Sequence, residues 1–392
     1  MAAVVSTGVD LLKAGRWQAL KGMRLGLLAN QSSVDQNLKP TKRILHELLP
    51  GHLTTLFGPQ HGHGGEDQDN MVETDHDQDP QFRIPIYSLY SKERAPAKEM
   101  FDAIDVLLID LQDVGTRVYT FATTMLNCLK GAAAFGKRVI LLDRPNPLGG
   151  LRLEGNLLKK DMISFVGAYP MPMRHGLTLG EMALMFNEAL GLGTDLEIIP
   201  MDGWRREMLW RDTGLTWVMP SPNMPLAETA MVYPGQVLWE GTNLSEGRGT
   251  CRPFEMFGAP FLDPSSILRQ LDPTVKEGCH LREVSFRPTF HKWKNELCRG
   301  FMIHILDPNR FRPYLTSLAL LSAIIKVHEE SFEWKSPPYE YEYHRLPFDL
   351  IAGDGGLRNR LERGEETLFM VEGWRSDGED FRRHRKPFLL YD

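Results

Sequence analysis

The chain has 392 residues, more than one average domain needs and comfortable for two. Its hydrophobic content of 42% and charged content of 24% allow a core of ordinary size. A formal net charge of -6 argues against a general nucleic-acid binder, which would be basic.

The first residues, MAAVVSTGVDLLKAG, carry neither the basic start nor the apolar run of a signal peptide, so a cytoplasmic protein is expected. No apolar stretch reaches the roughly 18 residues of a membrane span. Gly8–Leu20 reads as a helix and Met23–Asn30 as a buried strand that ends in a polar turn. A helix over Pro40–Leu49 and a strand over Leu53–Phe57 complete a strand–helix–strand unit, the building block of a parallel sheet. Ile84–Tyr87 is a further short strand, and Pro96–Ala103 is helical. Ile104–Gln112 is the strongest strand, a continuous apolar run of the kind found when both faces are covered. Helix Thr120–Phe135 and strand Lys137–Leu142 follow.

Residues 151–175 read as irregular. Thr178 with Glu181 three residues later predicts a capping box at the start of a helix that runs to about Ala189. Asp195–Met201 is another strand candidate, and residues 220–225 form a proline-punctuated loop. Beyond about residue 250 come helix Pro264–Leu271, strands Leu281–Pro288 and Gly300–Ile305, and a long helix from Pro313. From Glu340 on, the chain reads as a tail rich in charges, Tyr and Trp. The pattern predicts an α/β fold: a Rossmann-like, doubly wound, mostly parallel sheet over residues 1–250, with a smaller α+β domain over 251–392 closing a cleft. No GxGxxG follows the first strand, so the layers are supported and nucleotide binding is not. The four cysteines contain no CxxC pair and read as reduced, mostly buried thiols.

Strands of such a sheet place their chemistry at their carboxyl ends. Four successive strands end in polar clusters, and the richest is Leu56–Glu73, LFGPQHGHGGEDQDNMVE. Acid, base or nucleophile candidates are Glu66, Asp69 and Glu73 in that stretch, Asp110 and Asp113, Asp143, Glu154, and Glu240 and Glu246 in a glycine-rich motif. Arg117 reads as a structural partner for Asp110. A metal hydrolase using His61, His63, Asp67, Asp69 and His76 is a rival reading, although no fixed ligand spacing such as HExxH is present.

Six motifs run in order along nearly the whole chain: FGPQHG at 57–62, LQDVGTRVYTF at 111–121, LDRPNPLGG at 142–150, HGLTLGE at 175–181, PSPNMP at 220–225 and YPGQVLWEGTNLSEGRGT at 233–250. Together they resemble the exo-β-N-acetylmuramidase family NamZ, long catalogued as a domain of unknown function. The resemblance implies a Rossmann-like domain with a smaller C-terminal domain, a site between them, and release of terminal N-acetylmuramic acid from non-reducing ends of peptidoglycan fragments. The expected partner is therefore a muropeptide or amino-sugar substrate, and no cofactor or metal is implied. The chain departs from the family at one place. Many members have FGPEHG, whose Glu is a leading candidate for the catalytic carboxylate; here Gln60 stands there, and an amide is neither acid, base nor nucleophile.

Glycoside hydrolysis ordinarily needs two carboxyl groups about the scissile bond. With Gln60 neutral, Glu240 paired with Glu73 or Glu66 is the expected catalytic set. Given a muramyl substrate, Arg117, Arg144 and Arg248 are candidate clamps for the lactyl carboxylate, since guanidinium matches carboxylate in bidentate fashion. His61 and His175 are candidates for sugar hydroxyls or the same carboxylate, and Tyr119 for stacking on a sugar ring. Gln60, Asn70, Asp110, Asn146, Asn223 and Asn243 complete the expected binding set. A cleft that binds muramyl sugars without cleaving them remains the non-enzymatic alternative.

Overall fold

A computed structural model describes residues 4–68, 71–91 and 94–392. The central sheet is built from β1 (Leu25–Ala29), β2 (Leu53–Gly58), β3 (Asp77–Gln78), β4 (Pro85–Ser88), β5 (Val106–Asp110), β6 (Arg138–Leu142) and, after a two-stranded ribbon, β9 (Leu196–Ile199). The ribbon pairs β7 (Glu154–Leu157) with β8 (Pro172–Arg174) in antiparallel fashion, inside the stretch that reads as irregular in sequence. Its two strands are short and carry Gly155, Asn156 and Pro172, so neither shows a strand signature.

The seven strands lie in the order β3-β4-β2-β1-β5-β6-β9, and only β3 runs antiparallel. Leaving β3 aside, the order is that of a doubly wound sheet with its switch point between β1 and β5. Alternate side chains of β5 explain why it reads as continuously apolar: Val106 and Leu108 enter one core, Leu107 and Ile109 the other. The first core packs against helices Gly8–Lys13 and Thr41–Leu48. The second takes in helices Phe121–Ala134 and Leu179–Ala189 and continues without a break into the C-terminal half. The capping box forms as predicted: Thr178 Oγ1 accepts from Glu181 N–H at 3.2 Å, and Glu181 Oε2 accepts from Thr178 N–H at 3.0 Å.

The C-terminal half carries β10 (Met256–Ala259), β11 (Cys279–Phe286) and β12 (Cys298–Ile305) as an antiparallel sheet ordered β10-β12-β11. Helix Pro313–Val327 is its centre, and the charged tail folds into helices at Pro347–Ala352, Leu357–Glu362, Thr367–Gly373 and Arg375–Arg385. Two glycines let segments distant in sequence come close. A Cβ on Gly235 would meet the Pro313 carbonyl oxygen at 2.0 Å, and one on Gly241 would meet Phe348 Cα at 2.5 Å. Among the described residues, no helix is long and apolar enough to cross a membrane. Cys128, Cys279 and Cys298 are buried, Cys251 is exposed, and all four are free.

Candidate active site

A small pocket of about 40 Å³ opens past the carboxyl ends of β2 and β5. The loop after β2 supplies Gln60 and His61, the segment after β5 supplies Tyr119 and Thr120, and the proline-rich loop supplies Ser221 and Asn223. Tyr233, Glu240 and Arg248 come from the motif before β10, and Tyr339 and Glu340 close the pocket from the C-terminal half. The adjoining switch point between β1 and β5 is closed: Asn30 Nδ2 donates to the Pro220 carbonyl at 2.8 Å, and Ser33 Oγ donates to the Asp110 carbonyl at 2.5 Å.

Glu240 lies on the 3₁₀ turn Val237–Gly241, which Gly241 allows to pack directly on helix Pro347–Ala352. Its Oε1 accepts from Arg248 Nη2 at 2.8 Å and its Oε2 from the Tyr339 hydroxyl at 2.6 Å. Arg248 is anchored from behind by Glu246, with Nε 3.2 Å from Oε1. Burial alone would raise the Glu246 carboxyl. Lys292 at 2.9 Å, His291 at 3.1 Å and Arg248 outweigh it and hold Glu246 well below the usual carboxylate range.

Glu340 sits in a different environment. Its Oε1 accepts from Gln60 Nε2 at 3.1 Å and its Oε2 from the Tyr90 hydroxyl at 2.6 Å. Thr120 Oγ1 donates to Gln60 Oε1 at 2.6 Å, which turns the Gln60 amide nitrogen toward Glu340. Burial pushes the Glu340 carboxyl up to about 7, and the negative charge of Glu240 adds to the effect. Its backbone is left-handed, φ 45° at Glu340 and 66° at Tyr341, a conformation non-glycine residues adopt only when surrounding contacts hold it. Here the Arg94 guanidinium lies 3.0 Å from the centre of the Tyr341 ring and 4.9 Å from that of Tyr90.

The comparisons with known proteins agree with one another. A profile described as "Exo-beta-N-acetylmuramidase NamZ, N-terminal" matches residues 25–228, and one described as "Exo-beta-N-acetylmuramidase NamZ, C-terminal" matches residues 231–391. This chain belongs to the NamZ family. It is 39% identical over 99% of its length to the peptidoglycan β-N-acetylmuramidase NamZ of Bacillus subtilis strain 168, of which 91% is covered. Two solved DUF1343 family proteins of Bacteroides fragilis superpose on it with TM-scores of 0.88 and 0.76, at 32% and 27% identity. The first covers 99% of both chains; the second covers 100% of this chain and 99% of its own.

In this NamZ family member the expected site residues part into two groups. Gln60, His61, Tyr119, Asn223, Glu240 and Arg248 all line the pocket. His61 Nδ1 lies 2.7 Å from the Asp67 carbonyl, and Asn223 Nδ2 donates to the Gln68 carbonyl at 2.7 Å, which ties the β2 loop to the proline-rich loop. The other residues lie elsewhere. Glu66 and Glu73 are exposed; Glu66 lines a separate hollow with Lys42, His63 and Asp79. The partner of Asp110 is Arg144, not Arg117, with contacts of 2.5 and 2.9 Å. Both residues of that pair are buried outside the pocket, and Thr41 Oγ1 closes on the same carboxylate at 2.5 Å.

Arg117 spends its guanidinium on the carbonyls of Asn156, Met171, Ile351 and Ala352, bracing the C-terminal half. Asn146 holds a turn through Leu148 N–H and the Leu177 carbonyl. His175 Nδ1 accepts from Leu177 N–H at 3.1 Å, which leaves the proton on Nε2, 3.5 Å from Asp113. Asn243 Nδ2 donates to the Ser331 carbonyl. Asp143, pushed up to about 6 by burial, and Glu154 both serve helix starts: Asp143 takes Gly180 N–H, and Glu154 takes Tyr314 and Leu315 N–H. Asp69 and Asn70 lie outside the described residues. Among the described residues, no three His, Cys, Asp or Glu side chains group so as to hold a metal ion. Sequence reasoning missed Glu340; its signal is the run Pro337-Pro338-Tyr339-Glu340-Tyr341, an acid between two aromatics after a rigid pair.

Proposed function

We propose that this chain is an exo-acting β-N-acetylmuramidase that releases N-acetylmuramic acid from non-reducing ends of peptidoglycan fragments, and that the pocket of Glu240 and Glu340 is where it does so. The observation that carries this reading is the pair of buried carboxyl groups in one pocket, in unlike surroundings. Two such groups flanking a glycosidic bond are what its hydrolysis requires. Glu240, fixed by Arg248 and the Tyr339 hydroxyl, presents a carboxylate to the anomeric carbon as positive charge develops there. His61, Thr120, Ser221 and Asn223 offer donors and acceptors for the sugar hydroxyls and the acetamido group, and Tyr119 and Tyr233 offer ring faces.

A chromogenic β-N-acetylmuramide and the matching β-N-acetylglucosaminide, each with and without chelator, test the reading. Cleavage of the muramide alone, unchanged by chelator, is the expected result. Binding of the muramyl sugar with no turnover would instead make the pocket a binding site, and loss of turnover with chelator would point to a metal.

A further inference from the structure

We propose that Glu340 is the proton donor of this site, a catalytic residue that supplies the chemistry its neighbour Gln60 cannot. The inference rests on the hydrolase reading above. Among the described residues that line the pocket the acids are Glu240 and Glu340, and Gln60, which bonds Glu340, is an amide with no acidic proton to give. Glu240 is committed to an arginine. Among the described residues no cation bonds Glu340 directly: its carboxyl oxygens meet two neutral donors, the Gln60 amide and the Tyr90 hydroxyl, with the Arg94 charge nearby. A buried carboxyl held by neutral donors beside another carboxyl group favours its acid form. Burial pushing Glu340 up to about 7 accords with that geometry. The charged and titratable groups that face it are Tyr90 and Arg94 from the segment after β4, Glu240 and Tyr233 from the motif before β10, and Tyr339 beside it. His61 lines the same pocket.

The Tyr90 hydroxyl fits both protonation states. It donates to the carboxylate and can turn to accept from the acid, while its oxygen also takes Met71 N–H at 3.1 Å. In the reaction the glycosidic C1–O bond breaks, its electron pair stays with the leaving sugar, and the Glu340 proton passes to that oxygen. The water that completes hydrolysis adds its oxygen to C1 and releases one proton, which returns Glu340 to its acid form.

The test compares two leaving groups: the disaccharide of N-acetylmuramic acid β-linked to N-acetylglucosamine, whose alcohol needs a proton to depart, and a nitrophenyl N-acetylmuramide, whose phenolate does not. Glu340→Gln should cut kcat/KM on the disaccharide by about 10²- to 10⁴-fold and on the nitrophenyl substrate by less than about tenfold. The fall in wild-type rate above about pH 7 should vanish in the variant. Equal losses on both substrates with a native melting profile would overturn the assignment, as would retention of the alkaline fall. If Glu340→Gln does not fold, the same split is read from Glu340→Asp, which keeps the acid but withdraws it by one methylene. A wild-type protein inactive on both substrates would instead refute the hydrolase reading itself.

Discussion

Two buried acid–arginine pairs lie near the carboxyl edge of the sheet, Asp110 with Arg144 and Glu240 with Arg248. In sequence they carry the same promise. Asp110 ends the strongest strand, its oxygens are taken by Arg144 and Thr41, and Arg144 spends a further N–H on the Val34 carbonyl. Every contact on that pair comes from an element it locks to its neighbour. Glu240 is equally buried, with 4% exposure against 0% for Asp110, yet it borders open volume and its second oxygen meets a tyrosine hydroxyl from the closing segment. Burial and an ion pair are thus common to both acids; what sets Glu240 apart is the pocket that it lines.

The largest expected effect breaks this comparison at Glu240. Glu240→Gln keeps the shape and the Tyr339 contact but removes the charge that the proposed function sets opposite the anomeric carbon. Muramide turnover should fall on the order of 10³-fold or more, with a circular dichroism spectrum like the wild type. Near-normal turnover would move Glu240 to the same structural role as Asp110.

The converse change, Asp110→Asn, leaves Arg144 buried without its counter-charge. Removing one partner of a buried pair costs about 3 kcal/mol or more, so the denaturant midpoint should drop markedly while the folded fraction keeps its KM and kcat. A selective loss of kcat at unchanged stability would show that the Asp110 pair reaches the chemistry after all.

The same contrast explains what could be read from the sequence. Strands such as β5 are legible because a residue alternation buried on both faces leaves an unbroken apolar run, and the helix at Leu179 because its capping box is local. The loop after β2 was legible as a strand end that turns polar, and it does reach the pocket. Two of its acids do not: Glu66 and Glu73 are exposed and lie outside the pocket lining. Glu340 is marked locally only by its proline pair and aromatic neighbours; what ties it to the pocket is Gln60, 280 positions away. Nor could the exchange of Arg117 for Arg144 at Asp110, since both arginines follow strand ends and only the tertiary path decides which carboxylate each one meets.

Glu340, a buried acid bonded to neutral donors, extends the comparison, and Tyr90→Phe probes it most finely. The Tyr90 hydroxyl stabilises the charged form of Glu340, and its loss leaves the carboxylate with one neutral donor fewer. The sign follows: disfavouring the charged form raises the Glu340 pKa further above about 7, so the acid form persists to higher pH. A hydrogen bond to a charged group corresponds to roughly one pH unit. The alkaline fall in kcat/KM on the disaccharide should therefore move up by about that much, with only a few-fold change at the optimum. Glu340→Gln should carry no such fall for Tyr90→Phe to move, so the double variant should match Glu340→Gln in its pH profile. A downward shift in the single variant would mean that Tyr90 acts on another group, and a shift that survives in the double variant would place the titration elsewhere in the pocket, with His61 the next group to replace.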